Sequence, residues 1–78
     1  MPAKFSTYVA VFFDEPDTGK TIVKYVTGVG RSTASWESDQ PAMKFDSESF
    51  AKDVVYGLTL NGYAAAVVKV LYGVELRN

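Results

Sequence analysis

Apolar and polar residues alternate with a period of two in the first third of the chain, which is typical of pleated strands. Residues 5–13 are rich in β-branched and aromatic side chains, and so are residues 20–27. The polar segment between them places Pro16 and Gly19 where turns favour these residues. We therefore predict an antiparallel hairpin that ends at the glycine-rich residues 28–30.

The apolar period changes to 3.6 further along, and a helix is predicted over residues 47–60. Phe50, Val54 and Leu58 recur at four-residue spacing and form an apolar stripe. Gly57 should weaken this helix by about 1 kcal/mol relative to alanine, which usually indicates close packing or an early end. Asn61 and the glycine after it predict a left-handed stop.

The entry to this helix has the residues of a capped start. Asp46 is the predicted N-cap, and Glu48 lies favourably near the positive end of the helix dipole. Phe45 and Phe50 are spaced to close as a hydrophobic staple. Residues 31–40, before this entry, lack a sustained period and are predicted to be a surface connection, with Trp36 folded back as a lid.

Residues 63–72 are compatible with two kinds of structure. Three consecutive alanines permit a helix, but the valines and the tyrosine that follow favour a strand. Because a helix of ordinary length has just ended, we predict a third strand. The expected architecture is α+β: a ββαβ order with a three-stranded, antiparallel-type sheet and one helix packed on one face.

A helix covers only one face of such a sheet, so each strand must be assigned an inner and an outer set. The expected inner set is Phe5, Val9, Val11, Phe13, Val23, Tyr25, Ala66, Val68, Val70 and Tyr72. The uncovered face would then be apolar and basic, with Lys4, Tyr8, Phe12, Lys20, Ile22, Lys24, Tyr63, Val67, Lys69 and Leu71. An uncovered apolar sheet face usually contacts a partner.

Composition restricts the class of protein. The 78 residues predict a single domain over residues 1–78, and 47% of them are hydrophobic, which argues against disorder. There is no cysteine and no histidine, so disulfides and thiolate metal sites are excluded. The net charge of −1, the absence of a long apolar run and the lack of a signal-peptide pattern lead us to expect a cytoplasmic protein without a membrane role.

Candidate chemical motifs are few. Asp14, Glu15 and Asp17 cluster in the hairpin turn but lack the ligand spacing of a calcium loop. Residues 28–33 lack both the third glycine of the dinucleotide-binding fingerprint and the lysine of a P-loop. Ser49 and Lys52 have a nucleophile-and-base spacing, yet they lie on the expected exposed side of a helix. We therefore expect no enzyme activity, no metal and no cofactor.

Two binding hypotheses remain for the uncovered face, whose candidate interaction residues are Tyr8, Phe12, Ile22, Lys24, Tyr63, Val67 and Lys69. The favoured one is a protein interface, most simply self-association of two sheets face to face or edge to edge. The alternative is single-stranded nucleic acid, with aromatic rings stacking on bases and lysines following the phosphates. The acidic total charge and the lack of an RNA-binding signature favour the protein partner.

The turn Asp17-Thr18-Gly19-Lys20 and the helix entry in residues 42–51, which reads Ala-x-x-Phe-Asp-Ser, carry one resemblance. With these motifs the chain resembles small proteins encoded by phages and prophages of Gram-positive bacteria. The long serine- and threonine-containing linker departs from that pattern. The resemblance implies no activity and no site residues, and suggests an accessory or host-interaction role.

Overall fold

The computed structural model describes residues 4–31 and 33–78, and it has the α+β architecture that the sequence predicts. The elements in these residues are, in chain order, β1 (Phe5–Asp14), β2 (Thr21–Tyr25), β3 (Gly28–Val29), β4 (Ala34–Ser35), α1 (Glu48–Leu60) and β5 (Ala64–Leu71). The main sheet is antiparallel in the order β2-β1-β5, with α1 against β1 and β5. The third strand predicted over residues 63–72 is therefore confirmed as β5.

The central strand β1 carries the core. Four consecutive residues, from Tyr8 to Val11, are buried, so this strand is covered on both faces. On the helix side Val9 and Val11 pack in a cluster with Phe45 and the buried helix residues. Burial of apolar area at this level supplies most of the favourable free energy of a domain this small.

The face of β1 opposite the helix is covered by the segment after β5. Tyr8 is only 1% exposed, and its hydroxyl donates to the Val74 carbonyl at 3.1 Å. Farther along, Leu76 accepts from the Ala42 amide at 2.7 Å, and the Asn78 amide donates to the Gln40 carbonyl at 3.4 Å. The expectation of an uncovered second face is therefore wrong at its centre, because the chain returns across it.

The inner and outer sets were predicted correctly for β1 and inverted for β2 and β5. Val11 faces the helix, and its directly opposite partners are Lys24 and Ala65. The residues that share the helix face with them are Ile22, Val67, Lys69 and Leu71, whereas Val23, Tyr25, Ala66, Val68 and Val70 lie on the other face. A shift of one residue exchanges every position of a strand, and both sets in these strands are largely apolar.

The helix begins one residue later than predicted, and Ser47 rather than Asp46 is its N-cap. Ser47 has an extended backbone, and its Oγ accepts from the Phe50 amide at 3.1 Å. The predicted contact of Phe45 with Phe50 is confirmed, since their ring centroids lie 5.4 Å apart. The serine is one residue closer to the free amides of the first turn, so it takes the role expected of the aspartate.

The predicted stop at the end of α1 is confirmed. Gly62 has a φ of +88°, its amide donates to Thr59, and the Tyr63 amide donates to Leu58 at 3.0 Å. This pair of hydrogen bonds is a Schellman motif, which satisfies the last carbonyls of the helix.

Part of the predicted surface connection forms a second, two-stranded sheet. Strands β3 and β4 pair antiparallel, with Gly28 opposite Ser35 and Val29 opposite Ala34. Residue 32, which belongs to the segment 28–33 that was compared with phosphate-binding loops, lies outside the described residues. The sequence signal was weak because two-residue strands are too short to show a period.

We expect Ser47→Ala to lower the free energy of unfolding by about 1 kcal/mol, because it removes the acceptor for the Phe50 amide. Urea denaturation measures the change. The control is Asp46→Ala, which removes an exposed carboxylate outside the helix and should change stability by less than about 0.5 kcal/mol. Equal losses in the two variants would contradict the assignment of the cap.

Candidate functional site

The predicted interaction face is not a single surface. Tyr8 and Phe12 lie on the sheet face opposite the helix. The register places the other strand residues of that set, Ile22, Lys24, Val67 and Lys69, on the helix side. Tyr63 precedes β5 and packs on Phe13 and Trp36. The proposed basic and aromatic surface is therefore divided between two faces, because β2 and β5 have the opposite orientation to the one predicted.

Lys69 forms an ion pair across the helix–sheet junction. Its Nζ lies 3.0 Å from Glu48 Oε1, and both side chains are about half exposed. The hydrogen bond from Lys69, followed by its positive charge, lowers the pKa of the Glu48 carboxyl. Such an exposed pair contributes little to stability, but it holds the lysine against α1 and compensates its charge.

The outer edge of β5 has an open row of backbone groups. The Tyr72 amide donates to Lys4, so the ladder directs the backbone groups of the even-numbered β5 residues toward β1. The outward residues are then Ala65, Val67, Lys69 and Leu71. Among the described residues, the backbone groups on this edge have no partner except the Leu71 carbonyl, which accepts from the Val74 amide at 3.2 Å in the turn after the strand. β5 therefore offers an open strand edge that extends from Ala65 to the Leu71 amide.

The opposite edge of the sheet is closed at one end. The Asn78 side chain pairs with Tyr25 as a peptide group would: the Tyr25 amide donates to Asn78 Oδ1 at 2.6 Å, and Nδ2 donates to the Tyr25 carbonyl at 2.8 Å. The next outward amide, that of Thr27, donates to Ser35 at 2.7 Å. The two edges of the sheet are thus unequal, and β5 has the longer unpaired row.

A cleft of about 550 Å³ separates the small β3–β4 hairpin from α1. Trp36 lies at this cleft, with its ring centroid 5.1 Å from that of Tyr63 and 5.7 Å from that of Phe13. The prediction that Trp36 folds back against the protein is confirmed by these contacts. Edge-to-face and tilted packing of this kind holds the hairpin against the sheet.

Gly57 is a cleft residue that the sequence analysis did not identify. The helix continues past it to Leu60, and a Cβ at this position would meet no atom within 4 Å. Both explanations predicted for this glycine, close packing and an early helix end, are therefore wrong. The only available signal was the glycine itself, since the cleft is made by residues distant in the sequence.

The charged residues of the cleft are Arg31, in the loop between β3 and β4, and Asp53, on α1. Two of the three carboxylates of the hairpin turn are engaged locally: Asp14 accepts from Thr21, and Glu15 accepts from Thr18 at 2.9 Å. Within residues 4–31 and 33–78, no group of acidic side chains has the arrangement of a metal site. The clearest chemical capacity in the molecule is therefore the backbone hydrogen bonding of the β5 edge.

Comparison with known proteins found no relative of this chain. No protein-family model matches the chain, and searches of curated proteins and of solved structures gave no match. The resemblance to phage-encoded proteins stays a prediction. Of the helical segments in the described residues, none has the length and apolar character needed to cross a membrane.

We expect Gly57→Ala to raise the free energy of unfolding by up to about 1 kcal/mol, since alanine favours the helix and its methyl group has free space. The matched control is Gly62→Ala, which should lower it by about 1 to 2 kcal/mol, because a Cβ is strained at a φ of +88°. Thermal and urea denaturation measure both. Destabilisation by Gly57→Ala would show that the cleft closes on this residue.

We expect Lys69→Ala to raise the pKa of Glu48 toward its ordinary value, because it removes the hydrogen bond and charge that lower it. Lys52→Ala is the control, with a smaller rise, since Lys52 contributes the weakest of the lowering effects. The carboxyl chemical shift of Glu48 against pH gives both values. An unchanged pKa in Lys69→Ala would disprove the ion pair.

The same ion pair fixes a sign for the dependence of stability on pH. The pKa of Glu48 is lowered in the folded protein, so its ionised carboxylate contributes to the stability of the fold above the ordinary carboxyl range. This contribution to stability is lost as the pH falls through the lowered pKa. Any stability difference between the parent protein and Lys69→Ala should therefore shrink in acid.

Proposed function

We propose that this protein is a non-enzymatic interaction module that binds an extended segment of a protein along the open edge of β5. The supporting observation is the row of outward backbone groups at Ala65, Val67, Lys69 and Leu71, of which only the Leu71 carbonyl has a partner within the part of the chain that the structure describes. Strand addition uses such a row for affinity and the neighbouring side chains for specificity.

The sequence of β5 supports a binding role because it lacks the features that protect edge strands. Natural sheets blunt their edges with proline, bulges, short strands or outward charges. β5 has eight residues, contains neither glycine nor proline, and pairs with β1 without a bulge. Its one charged residue, Lys69, is compensated by Glu48. An edge of this kind is stable in solution when a partner occupies it.

Exposed apolar side chains at one end of β5 give the same indication. Leu71 is 60% exposed, and its cross-strand neighbour Phe5 is also exposed. Tyr72, the next residue, is 72% exposed. A partner strand along this edge would cover part of this apolar surface, which adds hydrophobic free energy to the backbone hydrogen bonds.

This proposal keeps the predicted class of function and moves the surface from a sheet face to a sheet edge. The nucleic-acid alternative has less support, because Tyr8 is buried and has no free ring face for a base. Lys24 and Lys69 also lie on the other side of the sheet from Phe12. The described surface therefore lacks the combined aromatic and basic platform that this alternative needs.

The test compares Lys69→Pro with Lys69→Ala. Both variants lose the ion pair with Glu48, but only proline removes the outward amide, and the ladder to β1 does not use that amide. The probe is a fluorescein-labelled peptide of alternating threonine and valine with a lysine at each end. We expect the parent and Lys69→Ala to bind it, and Lys69→Pro to bind about tenfold or more weakly, because an unmade buried hydrogen bond costs roughly 1 to 3 kcal/mol.

Amide chemical shifts locate the bound peptide. The proposal expects shifts and slowed hydrogen exchange at the outward residues of β5. Equal affinity of the two Lys69 variants, or shifts confined to the cleft around Trp36, would overturn it. Salt-sensitive binding of an oligothymidine in place of the peptide would favour the nucleic-acid alternative.

A further inference from the structure

We infer that the occupant of the β5 edge is a second copy of this chain, paired antiparallel about a twofold axis at Val68. This inference rests on the proposed function and names its partner. It depends on the position of the outward backbone groups and of the one charge along β5.

The outward residues of β5 are symmetric about Val68. A twofold axis there places Ala65 opposite Leu71 of the second copy, and Val67 opposite Lys69 of the second copy. Every outward residue of both copies then has an outward residue as its partner. The four resulting pairs exchange two hydrogen bonds each, eight in all, with each Leu71 carbonyl accepting through the lone pair that Val74 leaves free. The strand is therefore complementary to itself.

The neighbouring registers are poorer. An axis at Lys69 would place the two lysines directly opposite each other, which is destabilising, and would leave Ala65 without a partner inside the strand. An axis at Val67 would leave Leu71 opposite Tyr63, which precedes the strand. A register shifted by an odd number of residues would place the outward backbone groups of one copy opposite backbone groups of the other copy that are already bonded to β1. Only the axis at Val68 pairs all four outward residues within the strand.

The axis at Val68 is also compatible with the helix. It runs perpendicular to the sheet, so the two sheets join into one of six strands, with both helices on the same face. The charge of each Lys69 is compensated by Glu48 of its own chain. Leu71 lies opposite Ala65 of the second copy, and this cross-strand neighbour covers part of the exposed surface of Leu71.

The test introduces one cysteine into a chain that has none. In Val68→Cys the two cysteines would face each other across the axis as a non-hydrogen-bonded pair, with Cα atoms about 4.5 Å apart, within disulfide range. In the control Ala66→Cys they would be about 13 Å apart, because each lies two residues from the axis. Both positions are half-buried on the same sheet face, so they are matched in exposure.

Two readouts are needed. Light scattering of the parent protein should give twice the 8.5 kDa mass of one chain as concentration rises. In a glutathione redox buffer, Val68→Cys should become mostly disulfide-linked dimer on a non-reducing gel, at least about tenfold more than Ala66→Cys. Circular dichroism checks that both variants keep the parent fold.

The outcomes separate this inference from the proposed function. A parent protein that stays monomeric up to about 1 mM, or equal cross-linking of the two cysteine variants, would overturn pairing about Val68. If the threonine-valine peptide still binds and Lys69→Pro still abolishes binding, the edge is a binding site for another protein, and only the identity of the partner is wrong. If the peptide also fails on monomeric protein, the proposed function falls as well.

Discussion

Pairing of β1 on both of its edges is the constraint on which the rest of the structure depends. Val9 accepts from the Val26 amide on one side of the strand and lies opposite Val67 on the other. With α1 on one face and the returning C-terminal segment on the other, the centre of this strand, residues 8–11, is enclosed on its faces and edges. In a chain of 78 residues, enclosing the centre of one strand uses most of the available covering elements.

Few elements remain to cover the two edges of the sheet. At β2 the chain closes part of the edge with Asn78, whose side-chain amide replaces a missing peptide group. At β5 the described residues engage only the Leu71 carbonyl, through the Val74 amide, although the strand is longer. Backbone groups left at an edge are satisfied by water or by another chain, and their row sets the direction and register in which another chain can add. This inequality is the physical basis of the proposed interaction.

The helix connects the ion pair, the edge and the cleft. One flank of α1 holds Lys69 through Glu48, beside the β5 edge, whereas another flank carries Asp53 and Gly57 toward the cleft. The Schellman motif at Gly62 ends the helix where the chain must turn directly into β5. The aromatic contact of Trp36 with Tyr63 then fixes the small hairpin relative to this turn. Local capping and packing thus determine which surfaces remain accessible.

The sequence by itself determined the elements of the main sheet and the helix: the hairpin, the helix with its stop and the third strand follow from period, propensity and turn residues. It did not determine which face β2 and β5 present to the helix, because neighbouring positions such as Ile22 and Val23, or Val67 and Val68, are equally apolar. Nor could it show that Tyr8 is covered by a segment 66 residues away, or that β5 lies at the edge. Register, strand order and long-range covering are fixed by pairing across the sheet, and therefore only the tertiary structure decided where the open backbone groups lie.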